Sequence, residues 1–179
     1  MLHVQFESIH PFLDGNGRLG RLLVTLLLVD RGILGEPILY PSLYLKQHKA
    51  RYYELLQQVR LKGIWEDWVE FFLDAIATTA EQAVQLSKRI LELFRADEKQ
   101  IQEAGTRSQL PAVYRAMQVS PVTRVSQVVG QTKLSVPTVL KALEKLRALN
   151  ILDEVTGRER NRIYRYRRYV EMLSEGTEL

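Results

Sequence analysis

Residues 10–29 read His10-Pro11-Phe12-Leu13-Asp14-Gly15-Asn16-Gly17-Arg18-Leu19-Gly20-Arg21-Leu22-Leu23-Val24-Thr25-Leu26-Leu27-Leu28-Val29. The first twelve are a glycine-rich polar loop and the last eight are almost wholly apolar. Eight residues are too few for periodicity to separate helix from strand, so the flanks decide. A glycine-rich loop ends at Arg21, and Asp30-Arg31-Gly32 supplies a polar stop with a glycine just past the end, as a helix C-terminus prefers. A helix that is apolar on every side is expected inside a core.

Working outward, the pattern stays helical. Residues 35–41 carry one glycine and two prolines and read as a loop. Residues 43–61 then show helical spacing through Leu45, Tyr52, Leu55, Leu56 and Val59, closed by Lys62-Gly63. From Trp65 a long amphipathic stretch places Trp68, Val69, Phe72, Leu73, Ile76, Ala80, Ala83, Leu86, Ile90 and Leu93 at three- and four-residue steps. Its aromatic stripe reads as a packing face rather than a ligand platform. The apolar pattern thins over residues 99–107, where Gly105 stands, so a boundary is expected at 104/105. Beyond it, residues 110–117, 125–129 and 135–149 read as three helices. The last opens on Ser135 as N-cap with Pro137 in its first turn. A hairpin follows, with Ile151-Leu152 opening one strand, Thr156-Gly157-Arg158 as the turn and Arg162–Tyr166 as the other.

The chain has 179 residues, 46% of them hydrophobic, which is enough for a packed core. With no cysteine, disulfide frameworks, cysteine–zinc sites and thiol nucleophiles are excluded. No stretch approaches the roughly 20 apolar residues of a membrane helix, and the N-terminus lacks a signal-peptide pattern, so the expectation is a soluble, cytoplasmic, non-membrane protein. The net charge of +4 is uneven: 12 Lys and Arg face 14 Asp and Glu over residues 1–105, against 13 and 7 over residues 106–179. The basic character belongs to the C-terminal segment, which raises the expectation that this segment meets a polyanion.

The loop at residues 10–21 concentrates a base, a carboxylate, three glycines and two arginines before a helix. Glycines let consecutive backbone N–H groups turn inward as an anion nest, and the helix N-terminus adds partial positive charge. Arg18 and Arg21, three apart, are placed to fork onto one polyphosphate. Asp14 is a hard oxygen ligand of the kind that holds Mg²⁺ against phosphates. His10 is the natural proton acceptor near neutral pH. Taken singly, each has an ordinary reading as a structural histidine or a turn; their density is what points to chemistry.

These twelve residues match the signature His-Pro-Phe-x-Asp/Glu-Gly-Asn-Gly-Arg-x-x-Arg at every specified position. The chain thus resembles the Fic family of protein adenylyltransferases. The likeness continues through Tyr40-Pro41-Ser42-Leu43-Tyr44-Leu45, Tyr52-Tyr53-Glu54-Leu55-Leu56 and residues 65–73, covering about residues 2–100. The tail resembles the winged-helix domain that follows the Fic core in one bacterial subgroup. The fold implied is mainly α: a truncated all-helical Fic core over residues 1–104, then a small α+β winged helix-turn-helix domain over residues 105–179.

The resemblance implies transfer of AMP from ATP to a Ser, Thr or Tyr hydroxyl of a target protein, with release of pyrophosphate. By position, His10 deprotonates the attacking hydroxyl and Asp14 binds Mg²⁺ on the α- and β-phosphates. Gly15, Asn16 and Gly17 form the anion hole, while Arg18 and Arg21 hold the β- and γ-phosphates. Tyr52 and Tyr53 align with residues near the adenine, although their helical spacing alone would make them core residues. Gly17 stands where the kinase-like Doc branch has lysine.

The family's upstream helices, its target-aligning flap and its inhibitory helix precede the motif, and the chain reads as lacking all three, so impaired target docking is expected. Ser174-Glu175-Gly176 does not replace the inhibitory pattern, because position 171 is Glu. In the winged-helix reading, Ser135, Thr138, Lys141 and Lys145 lie on the polar side of the recognition helix, with Arg158, Arg160 and Arg162 on the wing, facing DNA. Two alternatives stand beside it: packing or homodimerisation through this domain, and a nucleic-acid-binding regulator with a vestigial nucleotide loop.

Overall fold

A computed structural model describes residues 1–105, 109–158 and 161–175. It divides into two compact units, Met1–Gln85 and Leu86–Leu179. The division lies inside the longest helix, whose end adjoins the expected boundary at 104/105. The chain is mainly helical with one small antiparallel sheet, and among the described residues no helix is long and apolar enough to cross a membrane.

The first unit contains α1 (Leu2–Ile9), α2 (Asn16–Asp30), α3 (Ser42–Gln47), α4 (Lys49–Lys62) and the beginning of α5 (Glu66–Glu103). Its core is Val4, Leu45, Tyr52, Leu55, Val59, Trp68, Phe71 and Ala75. The aromatic stripe of α5 is therefore divided, with Trp68 and Phe71 inside and Val69 and Leu73 exposed. The stretch expected as one helix over 43–61 is two. His48 breaks it: the backbone N–H and the ring Nδ1 both lie at hydrogen-bond distance from the Tyr44 carbonyl, at 3.0 and 2.9 Å. The fully buried helix expected from the apolar run is also corrected. In α2, Gly20, Val24 and Thr25 are buried, whereas Leu19, Leu22 and Leu26 are exposed. Burial follows the face that meets α1 and the 33–41 loop, where Thr25 Oγ1 donates to the Leu39 carbonyl at 2.8 Å.

The second unit holds the remainder of α5, then α6 (Leu110–Val119), β1 (Val122–Arg124), α7 (Val125–Thr132), α8 (Val136–Ala148), β2 (Asp153–Glu154), β3 (Ile163–Arg165) and α9 (Arg167–Ser174). The strands order β1-β3-β2, with Thr123 and Glu154 both opposite Tyr164. Leu93 and Ile101 of α5 join Val113, Met117, Val139, Leu143, Leu146, Tyr164 and Tyr166 in one core. Strand β1 and helix α9 are too short and too polar to be read from the sequence. Ile151 and Leu152, expected to open a strand, are core residues, and the strand begins at Asp153. Ser135 occupies the N-cap position of α8, but its hydroxyl bonds Thr138 Oγ1 at 2.8 Å and makes no cap bond.

Candidate functional site

The loop between α1 and α2 is built by local chemistry. Helix α1 ends at His10, which adopts the left-handed conformation (φ 50°, ψ 57°) while its N–H still bonds the Phe6 carbonyl at 3.0 Å. Pro11 cannot continue a helix, so the chain turns out. Asn16, only 2% exposed, closes the loop. Its Oδ1 accepts the Phe12 N–H at 3.0 Å and its Nδ2 donates to the Phe12 carbonyl at 2.5 Å. Phe12 is tethered further by Phe6, with ring centroids 6.4 Å apart.

Gly15 caps α2 at φ 85°, the left-handed region that glycine enters without cost, and no side chain caps the helix. The first helical bond runs from Leu19 N–H to the Gly15 carbonyl at 3.0 Å. The N–H groups of Asn16, Gly17 and Arg18 therefore lie in the first turn, where helices have no internal acceptor, and they present an open N-terminus to an anion. Of the three residues expected to form an anion hole, Gly15 gives its N–H to Asp14, Gly17 leaves its N–H in the open first turn, and the Asn16 side chain is committed to holding the loop shut.

The charged groups divide around this end. Asp14 Oδ1 accepts the Gly15 N–H at 2.6 Å, and Oδ2 lies 3.4 Å from Arg18 Nη2, an ion pair whose side chains are 76% and 93% exposed and which is correspondingly weak. Arg18 thus folds back over Gly15. Arg21 instead lies along Gly17, where an added Cβ would stand 3.0 Å from its Nη1. The two guanidinium groups thus rest against different glycines, Arg18 by Gly15 and Arg21 by Gly17. Exposed His10 makes no ring hydrogen bond among the described residues.

Asp14 fits a Mg²⁺ ion that takes most of its ligands from phosphate and water, since it is one accessible hard oxygen donor. An all-protein site is a different matter: among the described residues no group of three His, Cys, Asp or Glu could hold a metal.

The two tyrosines separate. Tyr52 is 4% exposed and bonds His3 Nε2 at 3.0 Å, so it faces the core. Tyr53 is exposed, edge-on to Tyr52 at 5.1 Å, with Lys49 Nζ 6.0 Å from its ring. His3 is buried between helices. Its Nδ1 donates to the Gly20 carbonyl at 2.9 Å, which leaves Nε2 to accept from the Tyr52 hydroxyl. Burial holds the imidazole below its ordinary value and pushes the Tyr52 hydroxyl up. His3 and its neighbour Glu7 escape a sequence reading centred on residue 10. Their signal was the i, i+4 spacing opposite Gly17 and Gly20, legible only once α1 is laid on α2.

In the second unit, Ser135, Lys141 and Lys145 are exposed along α8, Thr138 is half-buried and Arg158 is exposed. Arg160 lies outside the described residues. Arg162 is engaged, donating Nε to the Arg158 carbonyl at 2.9 Å and pairing Nη1 with Glu144 at 3.3 Å. Arg165 and Arg167 pair with Asp153, and Arg168 with buried Asp97. Tyr166 also bonds Asp97, at 2.5 Å, and its hydroxyl lies 2.9 Å from that of Tyr114. Much of the tail's positive charge is thus internally neutralised. Lys141, Lys145 and Arg158 make no ion pair among the described residues.

Comparison with known proteins agrees with the loop. The Fic/DOC family model matches residues 1–28. Proteins named Protein adenylyltransferase Fic from Aedes aegypti and Culex quinquefasciatus are each 39% identical over 82 residues, and that of Drosophila erecta is 35% identical over 81. Each match takes in 45% of this chain and 15% of the relative, so the chain spans a small part of the length of these curated relatives.

Proposed function

We propose that the chain is a Fic-type adenylyltransferase in which residues 10–21 bind ATP and His10 serves as base. The observation that carries the reading is the conjunction at α2: an uncapped helix N-terminus, locked by Asn16, with two arginines in its first two turns and, one loop away, an exposed histidine with no ring hydrogen bond among the described residues. The shared name of the similar proteins supports it.

In this reading the target's hydroxyl oxygen attacks the α-phosphorus while its proton passes to His10. The bond from α-phosphorus to the bridging oxygen breaks, and pyrophosphate leaves. Such transfers depend on in-line positioning and on neutralising phosphate charge, which is the work of the first-turn N–H groups and of Arg18 and Arg21. Arg18 exchanges its exposed contact with Asp14 for phosphate, at little cost. Asp14 would hold Mg²⁺, which supplies positive charge to the phosphate oxygens when bound. Tyr53, being exposed, is the better candidate of the two tyrosines for an adenine contact.

The test is incubation of the chain with α-labelled ATP, Mg²⁺ and a bacterial lysate beside His10→Ala. Label on protein that requires His10 is expected. Label indifferent to His10, or ATP binding unchanged by both Arg18→Ala and Asp14→Ala, overturns the reading.

The second unit supports a separate reading as a winged helix, with α7 and α8 as the helix-turn-helix pair and the β2–β3 connection as the wing. What favours it is the order α6, β1, α7, α8, β2, β3 with β3 central in the sheet, and the exposed Lys141 and Lys145 on α8. Salt-sensitive duplex binding lost in Lys141→Glu/Lys145→Glu is expected. Binding unaffected by that pair counts against it.

A further inference from the structure

Glu7 is half-buried on α1, yet its Oε1 is sealed from water with no hydrogen-bond partner among the described residues. It sits where α1 crosses the glycines of α2: a Cβ on Gly20 would stand 2.5 Å from this oxygen, and one on Gly17 would stand 4.0 Å from it. The Gly17 point is the same one that lies 3.0 Å from Arg21 Nη1. Glu7 and Arg21 therefore border one gap, left open because residue 17 has no side chain, without being in ion-pair contact across it.

The other groups around Glu7 are spoken for. On α1, His3 gives its ring N–H to the Gly20 carbonyl. On α4, the Tyr52 hydroxyl is bonded to His3, and Arg60 reaches only the Glu7 backbone carbonyl, at 3.5 Å. A carboxylate oxygen removed from water demands a donor, and Arg21 is the cation that can supply one. A guanidinium is a planar fork with more than one usable edge, so anchoring one edge leaves another for an anion.

We propose that Glu7 is a positioning residue for Arg21: when nucleotide binds, it takes one edge of the guanidinium across the Gly17 gap so that the other is aimed at the phosphates held at the α2 N-terminus. This rests on the phosphate-loop reading above. It also explains why positions 17 and 20 are both glycine, since a methyl group at either would crowd the gap.

The test titrates the full chain with Mg²⁺·ATP and, separately, with AMP, in wild type, Glu7→Gln, Arg21→Ala, their double variant and Arg18→Ala. Glu7→Gln keeps the shape and removes the charge. It is expected to weaken ATP binding about tenfold, the size of one charge-assisted contact. AMP, which lacks the β- and γ-phosphates, is expected to bind unchanged, and the double variant to bind ATP no more weakly than Arg21→Ala alone. A purely structural role would weaken both nucleotides alike. ATP affinity equal to or tighter than wild type in Glu7→Gln, or an equal loss for AMP, overturns the proposal alone. A wild type that does not bind ATP, or binding that ignores Arg18→Ala, overturns the phosphate-loop reading and this proposal with it.

Discussion

The α1–α2 loop and the basic second unit both attract attention through their charges, yet the fold treats those charges in opposite ways. At the loop, among the described residues, Arg18 has one weak exposed contact, Arg21 has no ion pair and His10 has no ring hydrogen bond. In the second unit, Arg162, Arg165, Arg167 and Arg168 are all drawn into pairs with Glu144, Asp153 and Asp97. A smaller number of uncommitted charges aimed at one helix end is a stronger mark of a site than a larger number that the fold has already neutralised. Net charge counts cations, whereas ligands meet only the unpaired ones.

Variants can break or sharpen this contrast. The largest effect is expected from His10→Ala, which should lower protein labelling by about a thousandfold, in the range for a lost general base, while leaving the melting temperature unchanged. Quantified label transfer beside a thermal melt checks both halves. Arg168→Ala should do the reverse. It leaves Asp97, 1% exposed, with its charge uncompensated, and should cost about 3 kcal/mol of unfolding free energy in denaturant titration without altering ATP affinity.

A smaller effect separates the units by pH, because all three histidines, His3, His10 and His48, lie in the first. Burial holds the folded His3 below its ordinary value of 6.5, so the unfolded chain binds the proton first as pH falls. The stability that neutral His3 contributes is full above that value and is lost as acid passes below it. Unfolding of the first unit should therefore become easier between about pH 7 and pH 5, and His3→Gln should flatten that slope. The smallest effect is expected from Arg18→Ala on stability, a change under about 0.5 kcal/mol, because its pair with Asp14 is exposed. A larger loss would mean that the loop arginine is structural, which would erase the contrast.

The legible parts of the molecule were those governed by nearest neighbours. The helical reading of residues 22–29, the loop that ends in the Gly15 cap, the helices beginning at 110, 125 and 136 and the left-handed glycine at 157 all follow from caps, glycines and periodicity within a few residues. Less legible was anything needing a partner far along the chain. The exposure of Leu22 and Leu26 and the strand at Val122–Arg124 depend on packing against distant segments. The same division runs through the site. His10, Asp14, Gly15, Asn16, Gly17, Arg18 and Arg21 stand in one dense motif, but which arginine leans on Asp14 and which lies over Gly17 is a matter of rotamers and neighbours.

By itself, then, the sequence determined a helix-rich chain with a phosphate-type loop opening onto α2, because a twelve-residue pattern of glycine, asparagine and arginine encodes its own backbone conformation. Only the tertiary structure decided that Tyr52 is core while Tyr53 is surface, that Arg162, Arg165, Arg167 and Arg168 of the tail are internally paired, and that Glu7 meets the glycine face of α2. Those outcomes turn on burial and on contacts across as many as 71 residues of chain, and no local pattern carries that information.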